Sequence, residues 1–135
     1  TGLGGRELNQ SWQDGAEAYL GMTVAGFPNF FMMYGPNTNL GHNSIVFMLE
    51  SQMNYIRQCA LALHQRGARY MDVKPVPMNE FNRKLQERLH KTVWDSGCTS
   101  WYVNAAGKNT ANWSGFTVDY RLRTSKPNWS HYHVV

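Results

Sequence analysis

Polar and apolar positions along this chain alternate in blocks. Phe30, Phe31, Met32, Met33 and Tyr34 form a continuous apolar run, closed in front by Pro28-Asn29 and behind by Gly35-Pro36. A run of that length between turn signals predicts a strand buried on both faces. A small polar loop follows, Gly35 to Ser44. Ile45, Leu49, Met53, Ile56, Ala60 and Leu63 then recur at spacings of three and four, which predicts a long amphipathic helix. Asn43 or Ser44 stands at its N-cap position, and Arg66-Gly67 is its stop signal.

The flanks read more simply. A helical turn or short strand is expected near Glu7 to Trp12, and Met22-Thr23-Val24 is a β-prone run ended by Gly26 in a hairpin-like turn. Tyr70 to Lys74 alternates as a half-buried strand would. Pro75 and Pro77 predict extended chain, and Asn79 then caps a second helix with Phe81, Leu85, Leu89 and Val93 inward, ended by Asp95-Ser96-Gly97. Beyond Cys98 the texture turns aromatic and polar. A strand is expected at Ser100 to Val103, a turn around Gly107, an extended segment from Phe116 to Arg121, and irregular or partly disordered chain from Thr124 to Val135.

Composition narrows the class. The 135 residues suffice for one core, and 42% apolar residues argue against disorder despite a mean hydropathy of −0.51. Thirteen basic residues against nine acidic ones leave a net charge of +4 without a compact basic block. Nucleic-acid and membrane-surface binding are therefore not expected. Two cysteines, Cys59 and Cys98, make no disulfide framework and fit a reducing, cytoplasmic compartment. No stretch reaches transmembrane length. A glycine-rich start without methionine predicts a fragment of a longer protein.

Candidate chemistry concentrates at the loop from 35 to 44. A strand, a glycine-bearing loop and a helix N-terminus can offer unpaired N–H groups and a positive dipole end to an electron-rich ligand, although most such joints are scaffolding. His131 and His133 stand two apart with no third ligand in sequence, which is poor for a metal. His64 and His90 sit among charged helix residues and read as solvated. Trp101, Tyr102, Trp113 and Phe116 serve either as core filling or as a stacking platform. No Gly-x-Gly-x-x-Gly follows a strand, so no dinucleotide-binding fold is complete here.

Several blocks carry a resemblance over nearly the whole chain: Tyr19-Leu20-Gly21-Met22-Thr23-Val24, Gly26 to Phe31, Gly35-Pro36-Asn37-Thr38-Asn39-Leu40-Gly41-His42, Glu50 to Ile56, Gly97 to Tyr102, and Asn109 with Trp113. In order and spacing these resemble the C-terminal part of class B flavoprotein monooxygenases, the group of flavin-containing and Baeyer–Villiger monooxygenases. The resemblance implies an α/β fold (α+β for the isolated piece), in which residues 1–67 close a Rossmann-like FAD-binding domain. Residues 68–135 then pack a second helix and short strands on it. It implies an FAD- and NADPH-dependent enzyme that inserts oxygen from O₂ into a ketone, or oxygenates a heteroatom, through a C4a-peroxyflavin. Asn37, Thr38, Asn43, Ser44 and Ile45 would position the flavin, while Leu40, Gly41 and His42 would border the substrate pocket. The phosphate-binding glycines and catalytic arginine of the family have no counterpart here, so the piece alone is expected to be inactive and free of cofactor. A buried strand cut off from its sheet neighbours further predicts that the isolated piece either self-associates or arises by proteolysis of a longer protein. The rival expectation is a flavin-free binding or interaction module.

Overall fold

The computed structural model describes residues 1–40, 44–91 and 102–135. In chain order it contains α1 (Leu8–Ser11), α2 (Ile45–Gln65), β1 (Met71–Val73), α3 (Pro75–Leu89), α4 (Thr117–Arg123) and β2 (Tyr132–Val134), with short 3-10 turns at Leu3–Gly5 and Trp129–His131. β1 and β2 pair antiparallel, Met71 against Val134, Asp72 against His133 and Val73 against Tyr132. This two-stranded ribbon is all the ladder seen among the described residues, and helices dominate around it.

Long helix α2 forms where the periodicity put it, with Ser44 at the N-cap and Gly67 at φ 60° beyond its end. Its inner face differs from the expected one. Met48, Ser51, Gln52, Tyr55 and Cys59 are buried, whereas Met53 and Ala60 of the expected stripe are exposed. Three of the inward residues are polar, but each is satisfied inside. Ser51 Oγ bonds the Phe47 carbonyl at 2.8 Å, and Tyr55 and Tyr132 share a hydroxyl contact of 2.8 Å. A purely apolar count misses a face built from partnered polar groups.

The apolar run at 30–34 is not a strand. No neighbouring strand offers it a ladder among the described residues, and its backbone bonds elsewhere: Phe30 N–H to the Phe27 carbonyl, Met32 N–H to the Met22 carbonyl, and Tyr34 N–H to Gln52 Oε1. Asn29 and Tyr34 bracket it at φ 57° and 56°, outside the β region. Met33 and Tyr34 are 41% and 48% exposed. The Rossmann-like strand expected here is thus replaced by an irregular segment.

Three further expectations change. Helix α3 starts at Pro75, not at an Asn79 cap, with both prolines in its first turn, where a missing N–H costs nothing. Residues 116–121 are helical rather than extended, since α4 spans Thr117–Arg123 and closes with an Asp119–Arg123 ion pair one turn apart. Residues 124–135 are ordered as a 3-10 turn and β2, because Tyr132 is drawn inward against Tyr55. Val103 makes an isolated bridge to Asn109 around Gly107, as the turn signal predicts, but Ser100, Trp101, Val93 and the Asp95-Ser96-Gly97 stop lie outside the described residues.

The core falls into adjoining clusters. One gathers Tyr19, Leu20 and Met22 with Tyr55, Cys59, Met71, Val73 and Tyr132; another joins Leu40 and Met48 to Leu85, Leu89, Trp113 and Tyr120. Both draw on residues from either side of position 67. Trp113 is core filling, 5.1 Å edge-on to Tyr120 and stacked on Phe81 at 6.3 Å, while Phe116 is 71% exposed. Asp72 is buried in the ribbon and accepts the Gly26 N–H at 3.0 Å. Burial raises its carboxyl above the ordinary value, against the lowering effect of the Gly26 and Phe27 N–H groups.

Candidate functional site

The loop that leads into α2 is held from two sides. On one side is the turn at Tyr19 to Thr23, where Leu20 and Gly21 both take positive φ, 53° and 69°. Tyr19 accepts the Met22 N–H at 3.0 Å and pairs with Thr23, the geometry of a tight hairpin turn. Gly21 and Gly35 meet backbone to backbone. A Cβ on Gly35 would collide with the Gly21 carbonyl oxygen, and one on Gly21 with the Thr38 methyl, with the Pro36 carbonyl at 2.9 Å. Only glycine permits this approach.

On the other side the loop is strapped to residues 109–113. Asn37 and Asn39 donate their N–H groups to the Thr110 and Ala111 carbonyls, both at 2.9 Å, and Trp113 N–H returns a bond to the Asn39 carbonyl at 2.8 Å. Side chains reinforce the strap. Asn37 Nδ2 donates to the Asn109 and Asn112 carbonyls at 2.7 and 3.0 Å, and Asn39 Nδ2 to Asn112 Oδ1 at 3.2 Å. Thr38 Oγ1 donates to the Gly35 carbonyl at 2.7 Å. Asn37 Oδ1, Asn109 Nδ2 and Asn112 Nδ2 remain buried without a partner among the described residues.

Gln52 ties the loop to the helix. Its Oε1 accepts the Tyr34 N–H at 3.0 Å and its Nε2 donates to Tyr120 Oη at 2.9 Å, while Tyr120 itself donates to the Leu20 carbonyl at 2.7 Å. Burial pushes the Tyr120 phenol well above its usual range, so it stays protonated as this donor. One fully buried amide thus spans both halves of the loop's support.

Of the candidate residues, Asn37 and Thr38 are buried with their side chains turned into this scaffold, and Leu40 is buried among Met48, Leu85 and Trp113. Ser44 is exposed at the N-cap, with Ile45 next to it. Gly41, His42 and Asn43 lie outside the described residues. Sequence reasoning missed Gln52, Asn39 and Asn112; the signal available was the density of asparagine in two separate segments, 37–39 and 109–112. Outside the loop, Trp12, Met33, Pro36, Asn39 and Ala111 border an open groove of about 480 Å³.

Chemically the arrangement offers donors. The first-turn N–H groups of α2 have no intrahelical acceptor, and no acidic side chain stands in that turn to neutralise its positive end. No group of three or more metal-ligating side chains occurs among the described residues, and none of their helices is long and apolar enough to cross a membrane. His131 is engaged by Tyr19 Oη at 2.7 Å, which turns it away from a shared site with the exposed His133.

Known proteins extend this picture. No family model matches the chain. A Baeyer-Villiger monooxygenase of Streptomyces coelicolor is 43% identical over 137 residues, matching 100% of this chain and 26% of its own length. One from Pseudomonas aeruginosa is 43% identical over 136 residues, with 99% and 26% covered. The FAD-binding monooxygenase ktnD of Aspergillus niger is 41% identical over 136 residues, covering 97% and 22%. Among solved structures, an oxidized steroid monooxygenase bound to NADP superposes with a TM-score of 0.85 at 24% identity over 99% of this chain and 26% of its own. The cyclohexanone monooxygenase from Rhodococcus sp. Phi1 bound to NADP⁺ gives 0.82 at 22% identity, over 98% and 26%. The chain spans about a quarter of the length of the curated relatives it matches. Over its whole length it belongs to the flavoprotein monooxygenases that include the Baeyer–Villiger monooxygenases.

Proposed function

We propose that this chain is the part of an FAD- and NADPH-dependent monooxygenase that holds the flavin ring in place, in an enzyme inserting oxygen into ketones to give esters. The observation that carries the reading is the 43% identity to the Streptomyces coelicolor Baeyer-Villiger monooxygenase along the entire chain. The donor set supports it. An apolar first turn, Ile45 to Met48, with unneutralised N–H groups suits a flat aromatic ligand with carbonyls on its edge. When bound, the flavin supplies activation of O₂ with electrons from NADPH.

The chain's own residues orient and enclose. Backbone N–H groups of Asn43, Ser44 and Ile45 would meet a flavin carbonyl, and the positive end of α2 favours negative charge there. Asn37 and Thr38 act by fixing the loop's course, since both side chains are spent on backbone carbonyls. Leu40, Gly41 and His42 would border the substrate side. The 135 residues alone would not oxygenate a substrate.

The test is made on the protein in its longest natural form. We expect a bound-flavin absorption band, ketone-dependent NADPH oxidation and an ester or lactone product. Amine or sulfide oxygenation with no ester sinks the ketone assignment, and failure to retain any flavin after reconstitution sinks the monooxygenase reading as a whole.

A further inference from the structure

Gln52 is enclosed by this chain's own atoms, so its surroundings are complete whatever a longer chain adds around it. Burying a side-chain amide costs free energy unless its donor and its acceptor both find partners. Here both do. Oε1 accepts the Tyr34 N–H at 3.0 Å, and Nε2 donates to Tyr120 Oη at 2.9 Å. Tyr120, on α4, passes the link on to the Leu20 carbonyl at 2.7 Å. A fully satisfied buried network of this kind selects one arrangement of the segments that meet in it.

The segments that meet here are the ones that place the start of α2. The chain from 35 to 44 runs into the helix at Ile45, while Tyr34, just before it, is bonded to Gln52 about 10 Å further along the same axis. Tyr34 sits at φ 56°, a backbone conformation that an aromatic residue seldom takes and that its surroundings must hold. The turn at Leu20-Gly21, reached through Tyr120, is the one against which Gly35 packs. A slip or rotation of α2 would therefore break its bonds to the loop entry and to that turn together. The other fastenings do not set this register. Asn37 and Thr38 bond carbonyls outside the helix, and Leu40 meets Met48 only in an apolar cluster, which has no preferred direction.

We propose that Gln52 is a positioning residue for the flavin: it fixes the register of α2 against the loop entry and the Leu20-Gly21 turn, and so fixes where the positive end of the helix stands. The inference rests on the flavin reading given above. Because the chain's own atoms enclose Gln52, no cofactor reaches it, and it acts only through the helix that carries it. Tyr120 is the second member of the same pin, since its hydroxyl joins Gln52 to Leu20.

The test uses the protein in its longest natural form, both loaded with flavin and stripped of it. Gln52→Leu should weaken flavin retention about 10-fold. It should also lower the midpoint potential of the bound flavin, because negative charge on the reduced ring then loses the positive end of α2. Tyr120→Phe keeps the buried ring, removes the hydroxyl between Gln52 and Leu20, and should move both readouts the same way. In the stripped protein, amide hydrogen exchange should quicken at Tyr34 to Leu40 and at Leu49 to Ser51 in both variants. Val73→Ala, a core truncation in the β1–β2 ribbon, should lower thermal stability yet leave flavin retention and potential at parent values. Should Gln52→Leu fail to fold, Tyr120→Phe carries the test. If the parent binds flavin and Tyr120→Phe or a folded Gln52→Leu holds it with parent affinity and potential, the proposal falls while the flavin reading stands. It falls too if Val73→Ala moves the potential as far as Gln52→Leu does, since the effect is then general destabilisation. A parent that retains no flavin removes the flavin reading, and this inference with it.

Discussion

Gln52 is the residue on which the loop's two supports converge. Fully buried, it bonds Tyr34 N–H and Tyr120 Oη at once. Gln52→Leu keeps much of the volume and removes both bonds, stranding the Tyr34 amide, so a loss of about 1–3 kcal/mol is expected in urea denaturation. Gln52→Glu should do no better. Its carboxylate could still accept from Tyr34 but cannot donate to Tyr120, whose own proton is committed to the Leu20 carbonyl. A Glu variant as stable as the parent at a pH high enough to ionise its carboxyl would show that the Tyr120 bond contributes little. Gly21 makes the same point through backbone. At φ 69° with the Thr38 methyl in the way of a side chain, Gly21→Ala should cost at least ~2 kcal/mol. Trimming that methyl with Thr38→Ser should recover part of the loss; equal stability of the single and double variants would remove the steric explanation.

At the level of elements, what was legible followed periodicity and punctuation. Helix α2 was plain from its repeat and from Gly67, and β1 from its alternation. The apolar run at 30–34 misled because a strand is defined by a ladder, and composition alone does not show whether a neighbour exists to pair with it. The prolines at 75 and 77 predict extended chain through their fixed φ, yet the first turn of a helix is where they cost least. Helix α4 was missed because only seven residues form it, too few for a periodic signal. Of the candidate site, the loop and its glycines could be read directly. Its strap to Asn109 and Asn112 could not, because asparagines seventy residues apart carry no local sign of contact.

For the molecule as a whole, the buried hydroxyls and thiol fix how stability responds to pH. Burial raises Cys59 from 9.0 and Tyr19 from 10.0, each to about 12, and pushes Tyr55 and Tyr132 higher still. In the unfolded chain these groups ionise near their ordinary values, so above them the native state holds more protons than the unfolded one. Their contribution is therefore complete below about 9 and is lost as pH rises toward 12. Denaturation midpoints measured across this range should fall steadily, and a flat profile would show that the hydroxyl network opens to solvent in the native state. The pairing of β1 with β2 sets a further condition, in time rather than in energy. Val73 finds its partner in Tyr132, and Tyr55 finds its hydroxyl contact on the same residue, so both wait on chain made nearly sixty residues after β1. A ribosome that has finished α2, β1 and α3 therefore holds two helices whose common ribbon has only one strand. Until Tyr132 emerges, the cluster around Cys59 stays open, and the nascent protein must be kept from other chains for that interval.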